Sequence, residues 1–185
     1  MRTRIAILLM LLAAAGLQGA DLSTPEGTAS AAMAAMAAQD FQQYSLYMHP
    51  AALADFKRTM MEVVESAAEA KGEAQLLALF DGVNGLDGLR KLDDRQFFTS
   101  FLDGVMTKIP MMKEALSGAD MQMLGHVMEG EVAHVVARVS VKMQGASIKK
   151  MSVVSLQKDG GEWKMLLTGE LEGFARMLKA RQSHD

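Results

Sequence analysis

Residues 121–143 read MQMLGHVMEGEVAHVVARVSVKM. Apolar and polar side chains alternate on both sides of a Glu-Gly step, the pattern of two half-buried strands joined by a tight turn. Strand side chains alternate faces, so the loop length decides which residues share a face. A two-residue Glu129-Gly130 loop requires a left-handed glutamate and groups Met121, Met123 and Val127 with His134 and Arg138. A three-residue Met128-Glu129-Gly130 loop puts glycine at the left-handed position of the common bulged turn. It sets the same three residues beside Ala133, Val135, Ala137, Val139, Val141 and Met143, one coherent apolar face, and is the expected register. His126 and His134 then share the opposite face, diagonal to each other at roughly 7 Å or a little less between β carbons. Two imidazoles with no carboxylate or cysteine beside them fall short of the three or four ligands that zinc takes, so no metal site is expected.

The alternation continues downstream. A Gly145-Ala146 turn sets Ile148, Ser152, Val154 and Leu156 on the apolar face, and an Asp159-Gly160 turn pairs Trp163 with Leu156 and adds Met165 and Leu167. The other face carries Leu124, Val136, Met151, Val153 and Leu166 among His126, His134, Arg138, Lys149 and Lys164. A face this apolar is seldom left fully wet, so these five residues are the expected interface, with a protein partner or a second copy. A short helix, LEGFARMLKAR, closes the chain.

Upstream the periodicity changes to that of helices. Ser23 or Thr24 can cap a helix with Pro25 in its first turn and Glu26 at the positive end of its dipole. Its alanines, with Met33 and Met36, give a narrow face for close packing. Asp40 is placed to cap a second short helix carrying Phe41, Tyr44 and Met48, which the His49-Pro50 step interrupts. Leu53, Phe56, Met60, Val63, Val64 and Ala67 mark an amphipathic helix over 51–70, followed by a shorter one at 73–80. DGVNGLDGLRKL reads as a glycine-punctuated loop, and Asp93 caps a helix whose buried stripe is Phe97, Phe98, Phe101, Leu102 and Val105. Pro110 ends that helix, and MMKEAL makes a last turn or two. Helices followed by strands indicate an α+β domain, with a helical N-terminal part packed on a curved antiparallel sheet of about four strands.

Arg2 and Arg4 precede the apolar run IAILLMLLAAA, which small residues follow, the pattern of a signal peptide cut near Ala20. As a helix this run reaches only about 16 Å, roughly half of a hydrocarbon core, so no stable membrane span is expected. Residues 21–185 then form one domain in the periplasm or outside the cell. There is no cysteine, so that domain holds together by packing alone. Loss of the two leader arginines moves the formal charge from −3 to −5, which argues against nucleic acid as a partner.

The early AAQDFQQYSLYMHPAAL and the late KDGGEWKMLLTGEL make the layout resemble the nuclear transport factor 2-like superfamily. The resemblance covers residues 24–56 and 121–170 and implies a cone of helices on a bent antiparallel sheet. Residues 57–120 depart from it, being helical where such proteins often place an early hairpin. It implies a ligand-binding or assembly domain, with pairing through the sheet, and no catalytic set of the superfamily's ketosteroid isomerases or polyketide cyclases maps here.

Isomerase or lyase chemistry of that kind needs a buried base and a hydrogen-bond donor in an apolar cavity. Tyr44 and Tyr47 as donors, with Asp40 or His49 as base, are the candidates, although capping accounts for Asp40 and the step before proline for His49. Seventeen methionines, with M-x-x-M at 33–36 and M-x-M at 121–123, raise soft-metal binding, yet both spacings place the side chains on apolar faces where methionine fills cores. No glycine-rich phosphate loop follows a strand. The expectation is an exported, non-catalytic domain without a cofactor, binding an apolar small molecule in its cone or a protein on its sheet. The alternative is a small lyase or isomerase using Asp40, Tyr44, Tyr47 and His49.

Overall fold

A computed structural model of the chain describes residues 21–69, 73–108, 116, 119–143, 146–167 and 173. The leader, the MMKEAL turn and the closing helix expected from the sequence lie outside the described residues, apart from Leu116 and Gly173. Among the described residues six helices precede four strands: α1 (Pro25–Ala37), α2 (Phe41–Leu46), α3 (Pro50–Glu69), α4 (Glu73–Leu77), α5 (Gly85–Lys91), α6 (Asp94–Lys108), β1 (Ala119–Glu129), β2 (Val132–Met143), β3 (Ala146–Asp159) and β4 (Glu162–Met165). The strands form one open antiparallel sheet in the order β1-β2-β3-β4, so the fold is α+β.

The helix starts follow from local chemistry. Thr24 Oγ1 accepts from the Gly27 amide at 3.2 Å and Asp40 Oδ1 from the Gln43 amide at 2.9 Å, each satisfying one of the amides that open a helix. Asp93 and Gln96 cap reciprocally: Gln96 N donates to Asp93 Oδ1 at 2.7 Å and Asp93 N to Gln96 Oε1 at 3.1 Å. The loop expected at 81–92 contains a helix instead. Asn84 stands at the N-cap of α5, Asp87 in its first turn and Arg90 and Lys91 in its last, charges matched to the helix dipole, while Leu89 is wholly buried. Burial of that leucine and matched ends outweigh the helix-weakening glycines 85 and 88.

α1 lies across the inner sheet face, touching β1, β2 and β4. Its buried surface is Thr28, Ala29, Ala32 and Ala35, and Ala133 and Ala137 of β2 are fully buried beneath the helices. Small residues on both layers let the backbones approach closely. α2 links α1 to α6, and α6 packs on α3. Between α3 and α6, Phe56 meets Phe97, Phe98 and Phe101 edge-on at centroid distances of 5.2–6.0 Å, and Phe80 meets Phe97 at 4.8 Å. These edge-to-face contacts add to the burial of the rings themselves. At Gly104 of α6 the backbone of Leu79 and Phe80 comes so near that an added β carbon would strike the Leu79 carbonyl.

The last hairpin has Asp159 opposite Glu162, so its loop is Gly160-Gly161, with φ of 58° and 91°. Both positions of such a loop require left-handed backbone, which two glycines supply and Asp159 does not. The register therefore shifts by two from the expected Asp159-Gly160 turn: Trp163 pairs with Lys158, and Leu156 with Met165. A shift of two preserves the faces. Trp163 points inward at 8% exposure, its indole N–H donating to the Ser23 carbonyl at 3.1 Å and Lys158 Nζ lying 5.3 Å from its ring. Likewise Ala146 pairs with Met143, so β3 begins at Ala146 rather than turning there, and Ile148, Ser152, Val154 and Leu156 keep the inner face; Gly145 lies outside the described residues. Toward that end the inner face emerges from under the helices, and Ile148 is 60% exposed.

Trp163→Ala is expected to cost about 3–5 kcal/mol, the range for truncating a large buried aromatic, measured by urea unfolding. Gly104→Ala is expected to destabilise by about 1–3 kcal/mol, as overpacking does, because the obstacle is backbone. A neutral result in thermal melts would place Leu79 farther from α6 than described.

Candidate functional site

Around the first hairpin the structure departs from the expected register. Glu129 pairs with Val132, leaving a Gly130-Glu131 loop with Gly130 at φ 59°, the first loop position where a type II′ turn wants glycine. The pairing then slips at Leu124: Met123 faces Ala137, but Gly125 faces Val136, and Gly125 adopts φ 132°. One extra residue in β1 is a bulge, and it reverses the faces of everything between it and the turn. Met121 and Met123 stay on the inner face as expected. Val127 does not: it pairs with His134 on the outer face and is 63% exposed. His126 turns inward beside Val135, so the two histidines lie on opposite faces of the sheet.

Each histidine has a carboxylate of its own, one a hundred residues away along the chain and the other only five. His126 Nδ1 lies 2.6 Å from Glu26 Oε1 in the first turn of α1, tying the open side of β1 to the helix above it. A carboxylate only accepts, so Nδ1 carries the proton. This hydrogen bond from His126 holds the Glu26 carboxyl below its ordinary value of 4.5. On the outer face, His134 Nε2 lies 3.0 Å from Glu129 Oε2 and its Nδ1 2.9 Å from Ser155 Oγ. Glu129 therefore selects the tautomer with Nε2 protonated, and Nδ1 accepts from the Ser155 hydroxyl. Such a chain polarises a serine, but nucleophilic catalysis also needs donors for an oxyanion and an enclosed site. Glu129 is 84% exposed at its side chain, and none of the four surface hollows described, of about 170–360 Å³, is lined by these three residues. The network fastens β1, β2 and β3 together at one margin of the outer face.

The outer face itself gathers the expected interface residues. Val136 and Val153 pair directly at its centre, Met151 lies opposite Arg138, and Leu166 follows β4, its amide donating to the Ser155 carbonyl at 2.8 Å. Leu124 bulges out beside them. Met151, Val153 and Leu124 are 54%, 51% and 44% exposed, and Val127 joins them. The buried residues of the sheet, Ala133, Val135, Ala137, Leu156, Trp163 and Met165, all belong to the other face. Arg138 donates to Gln122 at 3.2 Å, and Lys164 reaches Glu162 at 2.8 Å and the Leu46 carbonyl at 3.0 Å, so polar side chains frame the apolar strip.

The alternative acid-base group is occupied with structural tasks. Asp40 caps α2, and Tyr47 Oη accepts from Gln43 Nε2 at 2.8 Å. His49 Nδ1 accepts from the Ala51 amide at 3.2 Å, so the imidazole opens α3 as a cap, a role its place before Pro50 suggests. Tyr44 stacks on Phe98 at 6.0 Å, and burial pushes its hydroxyl up to about 12, leaving it a neutral phenol. Among the described residues no side-chain hydrogen bond joins any two of the four. The backbone around them is a brace: His49 N donates to the Met165 carbonyl at 2.8 Å and Met165 N to the Tyr47 carbonyl at 2.7 Å, covering the outer edge of β4.

Among the described residues no helix is long and apolar enough to cross a membrane. A depressed carboxyl pKa stabilises the fold above the unfolded value and ceases to do so as pH falls through the folded one. Glu26→Gln is therefore expected to lower the melting temperature near neutral pH, with the gap to the wild type closing below about pH 4.5, the ordinary glutamate value; a gap independent of pH between about 3 and 7 would mean that the pair contributes nothing through its charge. Comparison of the chain with models of known protein families, with curated proteins and with solved structures finds no match.

Proposed function

We propose that this is an exported, non-catalytic domain that pairs with a second copy of itself through the outer face of its sheet. The observation that carries the reading is the strip Leu124, Val127, Val136, Met151 and Val153, apolar side chains on a face against which no described helix packs. Apolar surface gathered in this way ordinarily meets a partner. A second copy fits the charges: Glu129 stands at the turn end of the face and Arg138 and Lys149 toward the other, so a two-fold axis near Val153 sets opposite signs against each other. Export is the reading of the charged, apolar and small-residue leader.

Assembly is preferred over a small-molecule ligand held inside the domain because the interior of the hydrophobic core is filled. Phe97, Phe98, Met60, Leu89 and Leu156 are at most 1% exposed within one continuous hydrophobic core. The proposed kinship with the nuclear transport factor 2-like superfamily, whose members often pair through the sheet, rests on the sequence resemblance over residues 24–56 and 121–170. The lyase or isomerase alternative keeps its four candidate residues but gains no joined acid-base pair.

Val153→Glu places a carboxylate at the centre of the strip, where it is costly to bury unpaired, and leaves the inner face untouched. The wild type is expected to sediment as a dimer at tens of micromolar and the variant as a folded monomer. A monomeric wild type, or a variant that unfolds, refutes the interface.

A further inference from the structure

We propose that Met33, Met121 and Met123 form a thioether site for a soft monovalent metal ion, copper(I) or its analogue silver(I). The three line one solvent-open hollow of about 190 Å³ between α1 and β1, walled also by Ala34, Ala37 and Val139. Met121 and Met123 reach it because both lie before the bulge, on the inner face opposite Val139 and Ala137, while Met33 descends from the helix above. Met33 of the helical M-x-x-M and both methionines of the strand M-x-M, far apart in sequence, thus line the same hollow, while Met36 packs against the core.

These methionines are less enclosed than the ones that fill the core, although Met123 also packs against it. Met60, Met48 and Met165 are 0%, 3% and 4% exposed, enclosed on all sides, whereas Met33, Met121 and Met123 are only partly buried at the wall of an open space. A thioether is neutral, polarisable and available at any pH, so it binds soft ions and leaves hard or borderline ones such as calcium and zinc to oxygen, nitrogen and thiolate ligands. Three such donors suit the low coordination numbers of copper(I). The chain has no cysteine to compete for the ion, and among the described residues no three His, Asp or Glu side chains gather into a site for a harder metal. The hollow lies under α1 on the side of the sheet away from the Val153 strip, so metal binding and dimerisation are independent of each other.

The test is competition for copper(I) against the chromophoric chelator bicinchoninate, without oxygen, using the full mature protein. The wild type is expected to withdraw one equivalent. Met→Leu conserves volume, so Met33→Leu, Met121→Leu and Met123→Leu should each stay folded, lower the affinity at least tenfold, and together abolish competition. Met151→Leu, on the outer face, should leave it unchanged. Failure of the wild type to compete overturns the proposal, as does an undiminished affinity in the folded triple variant or, should that variant not fold, in the single ones.

Discussion

The arrangement depends on how closely α1 can sit on the sheet. Alanines on the helix and Ala133 and Ala137 on β2 remove the side chains that would hold the two layers apart. Close approach brings Trp163 within reach of the Ser23 carbonyl and His126 within reach of Glu26, so polar contacts fasten the N-terminal end of α1 to both edge strands, β4 and β1. It also fixes which side of the sheet is covered. The buried residues of the sheet all face the α1 side, and the opposite face is left to solvent or to a partner.

That asymmetry shapes the functional reading. An antiparallel sheet may face water on one side, and then its outer residues are polar. Here a Val136–Val153 pair stands at the centre, with Met151, Leu124 and Val127 around it. The histidine network at one margin uses Glu129, His134 and Ser155 to link three strands. The acid-base group suggested by the sequence is used instead to cap helices and to brace β4.

The bulge at Leu124 and Gly125 is the smallest feature with the widest effect. By adding one residue to β1 it leaves Met121 and Met123 under α1, sends Val127 outward, and separates two histidines that simple alternation puts side by side. Without it the outer strip would lose Val127, and His126 would not meet Glu26.

The sequence by itself determined the elements whose signals are local: capping by Asp40 and Asp93, the phenylalanine stripe of α6, the inward Trp163, the α+β class and the five outer-face residues. Periods of two and of 3.6 survive any tertiary arrangement because they express which side of an element is dry. Register was less legible. The first loop is Gly130-Glu131 rather than Met128-Glu129-Gly130, the last is Gly160-Gly161 rather than Asp159-Gly160, and the second ladder pairs Met143 with Ala146, because the ladder as a whole decides the register. In the second and third hairpins the error was even and left the faces intact; in the first, the glycine inside the strand was the overlooked sign of a bulge. The glycines of 82–88 concealed α5 for the opposite reason, because Leu89 is buried by tertiary contacts that outweigh propensity. Pairings between residues a hundred positions apart, such as His126 with Glu26 or Met33 with Met121, leave no local trace at all. Only packing of the helix on the sheet brings them together.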